Sequence, residues 1–138
     1  MEDLATRAHV VVLLDDGHVV LLREVRGGSV RYLAPGVAAR QGETPGRAAA
    51  RAAREQLGFE VEVLELLFAD TEMGAEHFFF IAKPERPVEQ DWEIPPPSTD
   101  GVEATALKRS ALLGYPVRPV EIARLLRRAA DERSVGGL

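Results

Sequence analysis

The chain contains no cysteine, which excludes disulfide bonds and metal sites built from thiolates. It also has no excess of positive charge: 17 Lys and Arg residues stand against 22 Asp and Glu residues, a formal net charge of −5. A general nucleic-acid binder needs a basic surface that neutralises many phosphates, so polymeric nucleic acid is not an expected partner. A small nucleotide needs only a few local cations and stays allowed.

Long apolar runs are absent as well. Runs such as Val10 to Leu14 are far too short to cross a bilayer, so no membrane association is expected. The residues Met1-Glu2-Asp3 are acidic and lack the basic start and apolar middle of a signal peptide. These features suit a cytoplasmic protein. The 138 residues, 46% of them apolar, predict a single domain over 1–138 with a real hydrophobic core.

The first third of the chain predicts strands joined by tight turns. Two β-branched runs, His9–Leu14 and His18–Val25, flank Asp15-Asp16-Gly17, and Asp-Gly between such runs favours a hairpin. A second turn is expected at Gly27-Gly28-Ser29. A short strand at Val30–Ala34 should follow and end at Pro35-Gly36.

One helix is well marked at both ends. Thr44 suits the N-cap position, and Pro45 suits the first helical position, where its missing N–H is not needed. Alanines over 48–53 are strong helix formers, and Gly58 suits the C-terminal cap. The remaining elements predicted are a strand over Glu60–Ala69, a polar loop over Asp70–Glu76, a buried strand over His77–Ala82, a Pro-rich loop over Lys83–Gly101, a strand over Val102–Leu107 and a helix over Pro116–Asp131.

The segment from Leu33 to Phe59, a strand–loop–helix, resembles the signature of the Nudix hydrolase superfamily, G-x5-E-x7-R-E-U-x-E-E-x-G-U, where U is a bulky apolar residue. Five positions match it in one register without a gap, namely Glu43, Arg51, Glu55, Gly58 and Phe59. The hairpin and the Phe-rich strand fit the same family. The resemblance implies an α+β fold, an α/β/α sandwich with a mixed β-sheet between helices.

The box, 37–59, is degenerate. Val37 replaces the first Gly, Ala52 the Glu after the Arg, and Gln56 the second Glu of the pair, while Arg40 stands where the family often has an acid. Positions 52, 55 and 56 share one helix face. In the family, that face carries carboxylates for Mg²⁺ or Mn²⁺, which bridges the substrate's diphosphate and activates the attacking water.

Roles for the surviving residues follow from the resemblance. Glu55 would hold the metal, with a neutral oxygen from Gln56 and the backbone carbonyl of Gly36, and only when the substrate's phosphates complete the site. Glu43 would orient the site and Arg51 would support it. The alternatives are a solvated Glu55 paired with Arg51 and a Glu43 that only favours the helix N-terminus. The loop acids that are candidates for a catalytic base are Asp70, Glu72, Glu76, Asp100 and Glu103.

Substrate-binding candidates come from three regions. Arg23, Arg26 and Arg31 surround the Gly-Gly turn and could meet phosphates. Phe79, within a run of three Phe, could stack on a base or belong to the core. Trp92 could cap an aromatic ligand or anchor its loop. His77 is expected to be a strand-end residue.

Two functions remain open from the sequence. The first is a Nudix-type hydrolase that cleaves a diphosphate bond in a nucleoside diphosphate linked to another moiety, weak or altered because acids are missing. The second is a catalytically silent binding module for a nucleotide or metabolite on the same scaffold. The family often dimerises, so a homodimer is possible.

Overall fold

The computed structural model describes residues 5–88 and 100–127, which form one mixed β-sheet with helical segments on both faces. Residues 121–127 are helical and follow a 3₁₀ helix at Arg109–Gly114. The other elements are β1 (Ala5–Leu13), β2 (His18–Arg26), β3 (Ser29–Leu33), β4 (Gly36–Ala38), α1 (Pro45–Leu57), β5 (Val61–Glu72), β6 (Ala75–Pro84), β7 (Gly101–Lys108) and β8 (Val117–Arg118).

The strands run in the order β5-β6-β1-β2-β3-β8, with β4 beside β1 and β7 beside β2. The β1–β6 and β3–β8 pairs are parallel, and the others are antiparallel. One edge of β1 changes partner along its length. Residues Arg7 to His9 pair with β4, whereas Val12 and Leu13 pair with β2. Residues of β4 and of β2 therefore both come to lie beside β1.

The predicted hairpin between β1 and β2 is confirmed. The N–H of Leu14 donates to the carbonyl of His18, and the N–H of Gly17 donates to the carbonyl of Leu14. Gly17 has φ +88°, a conformation that glycine adopts without steric cost. The second turn, at Gly27 and Gly28, joins β2 to β3 as predicted.

Helix α1 begins and ends where the sequence predicts. The hydroxyl of Thr44 accepts the N–H of Arg47 at 3.2 Å, which satisfies one of the free N–H groups of the first turn. Gly58 is left-handed at φ +87°, and its N–H donates to the carbonyl of Ala53. The small alanine side chains allow α1 to pack close to the sheet. Four of them are fully buried, namely Ala48, Ala49, Ala52 and Ala53.

Two hydrophobic clusters cover the two faces of the sheet. Under α1, the alanines pack with β1 residues such as Val10 and Val12. On the opposite face, Leu112 of the 3₁₀ helix and Ile122 and Leu126 of the last helical segment pack against the sheet. This arrangement confirms the predicted α+β sandwich with a mixed sheet between helices. No helix among the described residues is long and apolar enough to cross a membrane.

The prediction of a polar loop over Asp70–Glu76 is wrong. Strand β5 continues to Glu72, and only Met73 and Gly74, both at positive φ, form the turn into β6. The cross-strand ladder continues through Asp70 opposite His77. Polar residues occur here because most of this end of the hairpin is exposed, so its pairing does not depend on an apolar pattern.

The helix predicted to begin at Pro116 instead begins at residue 121. Val117 and Arg118 form β8, which pairs with Tyr32 and Leu33 of β3. Local sequence patterns do not predict this pairing, because β3 lies far from β8 in the sequence. Strand β4 and the 3₁₀ helix were also not predicted. Of the Pro-rich loop over Lys83–Gly101, residues 89–99 lie outside the described part of the chain, as does the end of the predicted last helix beyond 127.

A matched glycine pair tests the description of α1. Gly58→Ala should destabilise the fold by about 1 kcal/mol, because alanine is strained at positive φ. Gly46→Ala, inside the same helix with open space around the new Cβ, should stabilise it by roughly 0.5 kcal/mol. Urea unfolding followed by circular dichroism measures both. Equal effects of the two substitutions would contradict the left-handed cap.

Candidate functional site

Arg51 joins helix α1 to the loop before it. Its guanidinium is 8% exposed and bonds Glu43 through two atoms, Nε to Oε2 at 3.0 Å and Nη2 to Oε1 at 2.9 Å. Nη2 also donates to the carbonyl of Ala38 at 2.9 Å, at the end of β4. A planar guanidinium suits such two-point pairing with a carboxylate. Arg51 thus connects α1 to the preceding loop and to the end of β4, and its support of a catalytic site stays a prediction.

The carboxylate of Glu43 has a lowered pKa and stays ionised. The hydrogen bonds from Arg51 lower the pKa of Glu43 from 4.5 to about 2, with a further contribution from the backbone N–H of Arg40. The same bonds raise the pKa of Arg51 above its ordinary value. Both groups are therefore charged at any physiological pH, and the pair is a fixed structural link.

Glu55 lies next to this link, at the surface. Its side chain is 45% exposed, and both of its carboxylate oxygens lie 3.4 Å from Nη1 of Arg51. Nη2 of Arg40 lies 3.8 Å from Oε1 of Glu55. The carboxylate predicted to hold a metal is thus flanked by two guanidinium groups.

Gln56 and Gly36, both predicted metal ligands, bond each other. Nε2 of Gln56 donates to the carbonyl of Gly36 at 2.7 Å, and the N–H of Gly36 donates to Oε1 of Gln56 at 3.2 Å. Ala52, the third position of the predicted metal face, is fully buried against the sheet. The side chain of Gln56 therefore connects the end of α1 to the start of β4.

A cavity of roughly 970 Å³ adjoins Gln56 and Gly36. This volume suits a nucleotide-sized ligand. Its lining includes the cations Arg7, Arg31 and Arg118 and the acids Asp70, Glu72 and Glu121. Arg31 is paired with Glu24 at 2.7 Å, whereas Arg7 and Arg118 have no carboxylate partner among the described residues.

Two histidines form a chain of hydrogen bonds in the cavity wall. Nε2 of His77 lies 3.3 Å from the carbonyl of Glu72, which can only accept, so Nε2 carries a proton. In a neutral ring Nδ1 of His77 then accepts from Nε2 of His9 at 2.9 Å. The remaining nitrogen of a neutral His9, Nδ1, is an acceptor. Burial, followed by the charges of His77 and Arg7, lowers the pKa of His9 from 6.5 to about 4, so His9 is neutral at pH 7.

Phe79 lines the cavity but offers no free ring face. It stacks on His9 on one side and on Phe68 on the other, each with ring centroids 4.3 Å apart. The predicted stacking of a base on Phe79 would therefore require one of these two rings to move. Gly36 is constrained by the same stack, because a Cβ there would lie 2.2 Å from Nδ1 of His9.

The other predicted ligand contacts are dispersed. Arg23 is 4% exposed, with its Nε unpaired among the described residues, and it does not line the cavity. Trp92 lies outside the described residues. Of the loop acids proposed as a base, Asp70 and Glu72 line the cavity, whereas Glu76, Asp100 and Glu103 do not.

Comparison with known proteins agrees with this architecture. The sequence profile of the NUDIX domain matches residues 4–123. The chain is a NUDIX domain. The family is one of pyrophosphate hydrolases that act on small nucleotide-like substrates. No curated protein matches this NUDIX chain at a significant level.

Solved structures share the fold at low identity. The solution structure of the E. coli ORF135 protein is 16% identical with a TM-score of 0.62, covering 94% of this chain and 91% of that one. The crystal structure of a MutT protein from Methanosarcina mazei Go1 is 15% identical with a TM-score of 0.65, covering 94% of each chain. At this identity the likeness concerns the fold alone.

NUDIX hydrolases generally use a divalent cation, and the box of this chain does not fit one. The carbonyl of Gly36 already accepts from Gln56, and the carboxylate of Glu55 already faces two guanidinium groups. Within 5–88 and 100–127, no three His, Asp or Glu side chains are grouped so that they could hold a metal ion.

Several site residues were not predicted. Arg7 and Arg118 reach the cavity through strand pairing, and His9 reaches it through its place opposite Gly36 and beside His77. The alternation along β1 places Arg7 and His9 on one face, which is a signal for a shared surface but not for a ligand. His77, expected to be a strand-end residue, is a member of the cavity wall.

The Glu43–Arg51 link predicts a specific acid sensitivity. Because the pKa of Glu43 is about 2 in the folded chain and 4.5 ordinarily, its contribution to stability is complete above about pH 4.5 and is lost as the pH falls towards 2. Glu43→Gln should therefore lower the free energy of unfolding at pH 7, with a difference from the original chain that shrinks between pH 4.5 and 2.

Denaturant unfolding across this pH range measures the difference. The matched control is Glu60→Gln. Glu60 is exposed, and its ion pair with Arg54 is long at 3.8 Å and also exposed. This substitution should leave the pH profile of stability unchanged. A Glu43→Gln profile parallel to that of the original chain would rule out the link.

Proposed function

We propose that this NUDIX domain binds a nucleotide-like diphosphate compound in the cavity beside Gln56 and Gly36, with hydrolysis lost or strongly reduced. The observation that carries the proposal is the cavity, which places Arg7 and Arg118, without carboxylate partners in the described chain, next to the family's box. Arg7 is half-buried, and Arg118 is exposed with its Nη1 donating to the carbonyl of Val117 at 3.0 Å. Guanidinium groups without a carboxylate partner are suited to phosphate oxygens, because charge-assisted hydrogen bonds are strong.

The rest of the cavity supports a ligand with a polar organic part. His9 is neutral and lines the cavity with a half-buried polar ring, which suits an uncharged polar part of a ligand. Leu22 and Leu33 add apolar surface. A nucleoside combines these features, and its phosphates would extend towards the arginines.

Metal-assisted hydrolysis of a diphosphate bond is the second candidate, and Glu55 favours it. Its carboxylate is half-exposed and adjacent to Gln56, which lines the cavity. A cation recruited together with the phosphates of a substrate, as Mg²⁺ often is, would need Glu55 to leave its guanidinium neighbours. The observed contacts of Glu55 and Gln56 oppose that arrangement, so we expect weak turnover at most.

Binding is tested by calorimetry with ADP-ribose and a panel of nucleoside diphosphates. At least one compound should bind, and Arg118→Ala should weaken that binding by about tenfold, or roughly 1.4 kcal/mol. The matched control is Arg124→Ala, an exposed arginine on the last helical segment that does not line the cavity. No binding by any compound, or equal losses in both variants, would overturn the proposal.

Turnover separates the two candidates. The same compounds are incubated with Mg²⁺ or Mn²⁺, and phosphate or nucleoside monophosphate release is followed for the original chain and for Glu55→Gln. The proposed binding function predicts little release and no difference between the two. Rapid release that Glu55→Gln abolishes would instead establish the hydrolase.

A further inference from the structure

The contact between Gln56 and Gly36 requires a side chain that has both a hydrogen-bond donor and an acceptor. A carboxamide carries one donor and one acceptor group at matched spacing, and it meets the carbonyl and the N–H of the same residue at 2.7 and 3.2 Å. A glutamate in this position could not donate to the carbonyl. Two oxygens facing each other would need a cation between them, as the oxygen ligands of Mg²⁺ do. The amide donor of Gln56 thus stands where such a cation would bridge.

The balance of charges around Glu55 also disfavours a divalent cation in the box. Arg40, Glu43, Arg51 and Glu55 form one connected group in which two positive charges offset two negative ones. No surplus negative charge remains in this group to attract a divalent cation. Glu55 is engaged from two sides, so metal binding would require separating it from both arginines.

Arg40 is fixed at its backbone, while its exposed guanidinium makes one long contact, 3.8 Å from Nη2 to Oε1 of Glu55. Its N–H donates to Oε1 of Glu43 at 3.0 Å, and Glu43 is itself fixed by Arg51. The side chain of Arg40 is 69% exposed and reaches over Glu55. A guanidinium in this position offers several N–H donors in the geometry that phosphate oxygens accept.

We infer that the box of this chain engages the diphosphate of its ligand without a divalent cation, with Gln56 closing the Gly36 carbonyl and the exposed guanidinium of Arg40 donating hydrogen bonds to the phosphate oxygens. This inference rests on the proposed function for the identity of the ligand. The inference adds to the proposed function the means by which the phosphates are recognised. It assigns a binding role to Arg40, which departs from the family's pattern.

The first test uses the metal alone. Mn²⁺ is titrated into the protein, and free Mn²⁺ is followed by electron paramagnetic resonance. The original chain should bind no Mn²⁺ at the box, so Glu55→Gln should leave the titration unchanged. Gln56→Glu, which removes the amide donor, should bind Mn²⁺ at least about tenfold more tightly than any residual Mn²⁺ binding elsewhere on the original chain. Mn²⁺ binding by the original chain that Glu55→Gln abolishes would overturn the inference.

The second test uses inorganic pyrophosphate, which lacks a base and a sugar. Calorimetry in EDTA and in Mg²⁺ should give similar affinities for the original chain. Arg40→Ala should weaken pyrophosphate binding by about tenfold in EDTA, and Arg40→Lys by less. Arg54→Ala is the matched control, because Arg54 is an exposed arginine of α1, adjacent in sequence to Glu55, and its guanidinium lies near Glu60 instead of Glu55. Circular dichroism confirms that each variant folds.

The outcomes separate this inference from the proposed function. Metal-free pyrophosphate binding that depends on Arg40, without binding of any nucleotide, would support the inference and refute the proposed function. Nucleotide binding that requires Mg²⁺ would support the proposed function and refute the inference. Absence of pyrophosphate binding in both buffers, or an Arg40→Ala variant that binds as the original chain does, would refute the inference.

Discussion

The candidate site depends on one buried interaction, the two-point pairing of Arg51 with Glu43. A buried guanidinium needs its charge and its N–H groups satisfied, and here a carboxylate and the carbonyl of Ala38 satisfy them. Because Arg51 lies on α1 and its partners lie on the preceding loop and β4, the pairing holds these segments in register. The backbone of Arg40 and the position of Glu55 both follow from it.

The substitutions in the box form a consistent set once this link is in place. Gln56 converts a carboxylate position into a neutral amide that bonds the backbone of Gly36, and Arg40 adds a positive charge beside Glu55. Ala52 packs into the core under α1 instead of reaching the surface. Each change removes negative charge or an oxygen ligand, and the polar groups that remain in the box are bonded to one another. The adjoining cavity keeps its arginines and its neutral His9.

Local signals predicted the elements whose residues are neighbours in sequence. Thr44, Pro45 and Gly58 defined helix α1 because capping depends on groups within a few residues. Asp16-Gly17 defined the first hairpin for the same reason. Strand β8 was mistaken for the start of a helix, since its pairing with β3 depends on residues far away in sequence. Of the site, the spacing predicted Glu43, Arg51 and Glu55 on one loop–helix, but not which of them are already neutralised.

The sequence alone determined the family resemblance, the loop–helix that carries the box and the loss of its acids, because these depend on residue type at fixed short spacing. The tertiary structure decided how the remaining groups are used. His9 meets His77 across 68 residues of chain, and Gly36 meets Gln56 across 20. Such contacts arise from strand pairing and helix packing, which no local pattern encodes. They turn an expected metal site into one closed by hydrogen bonds and guanidinium charge.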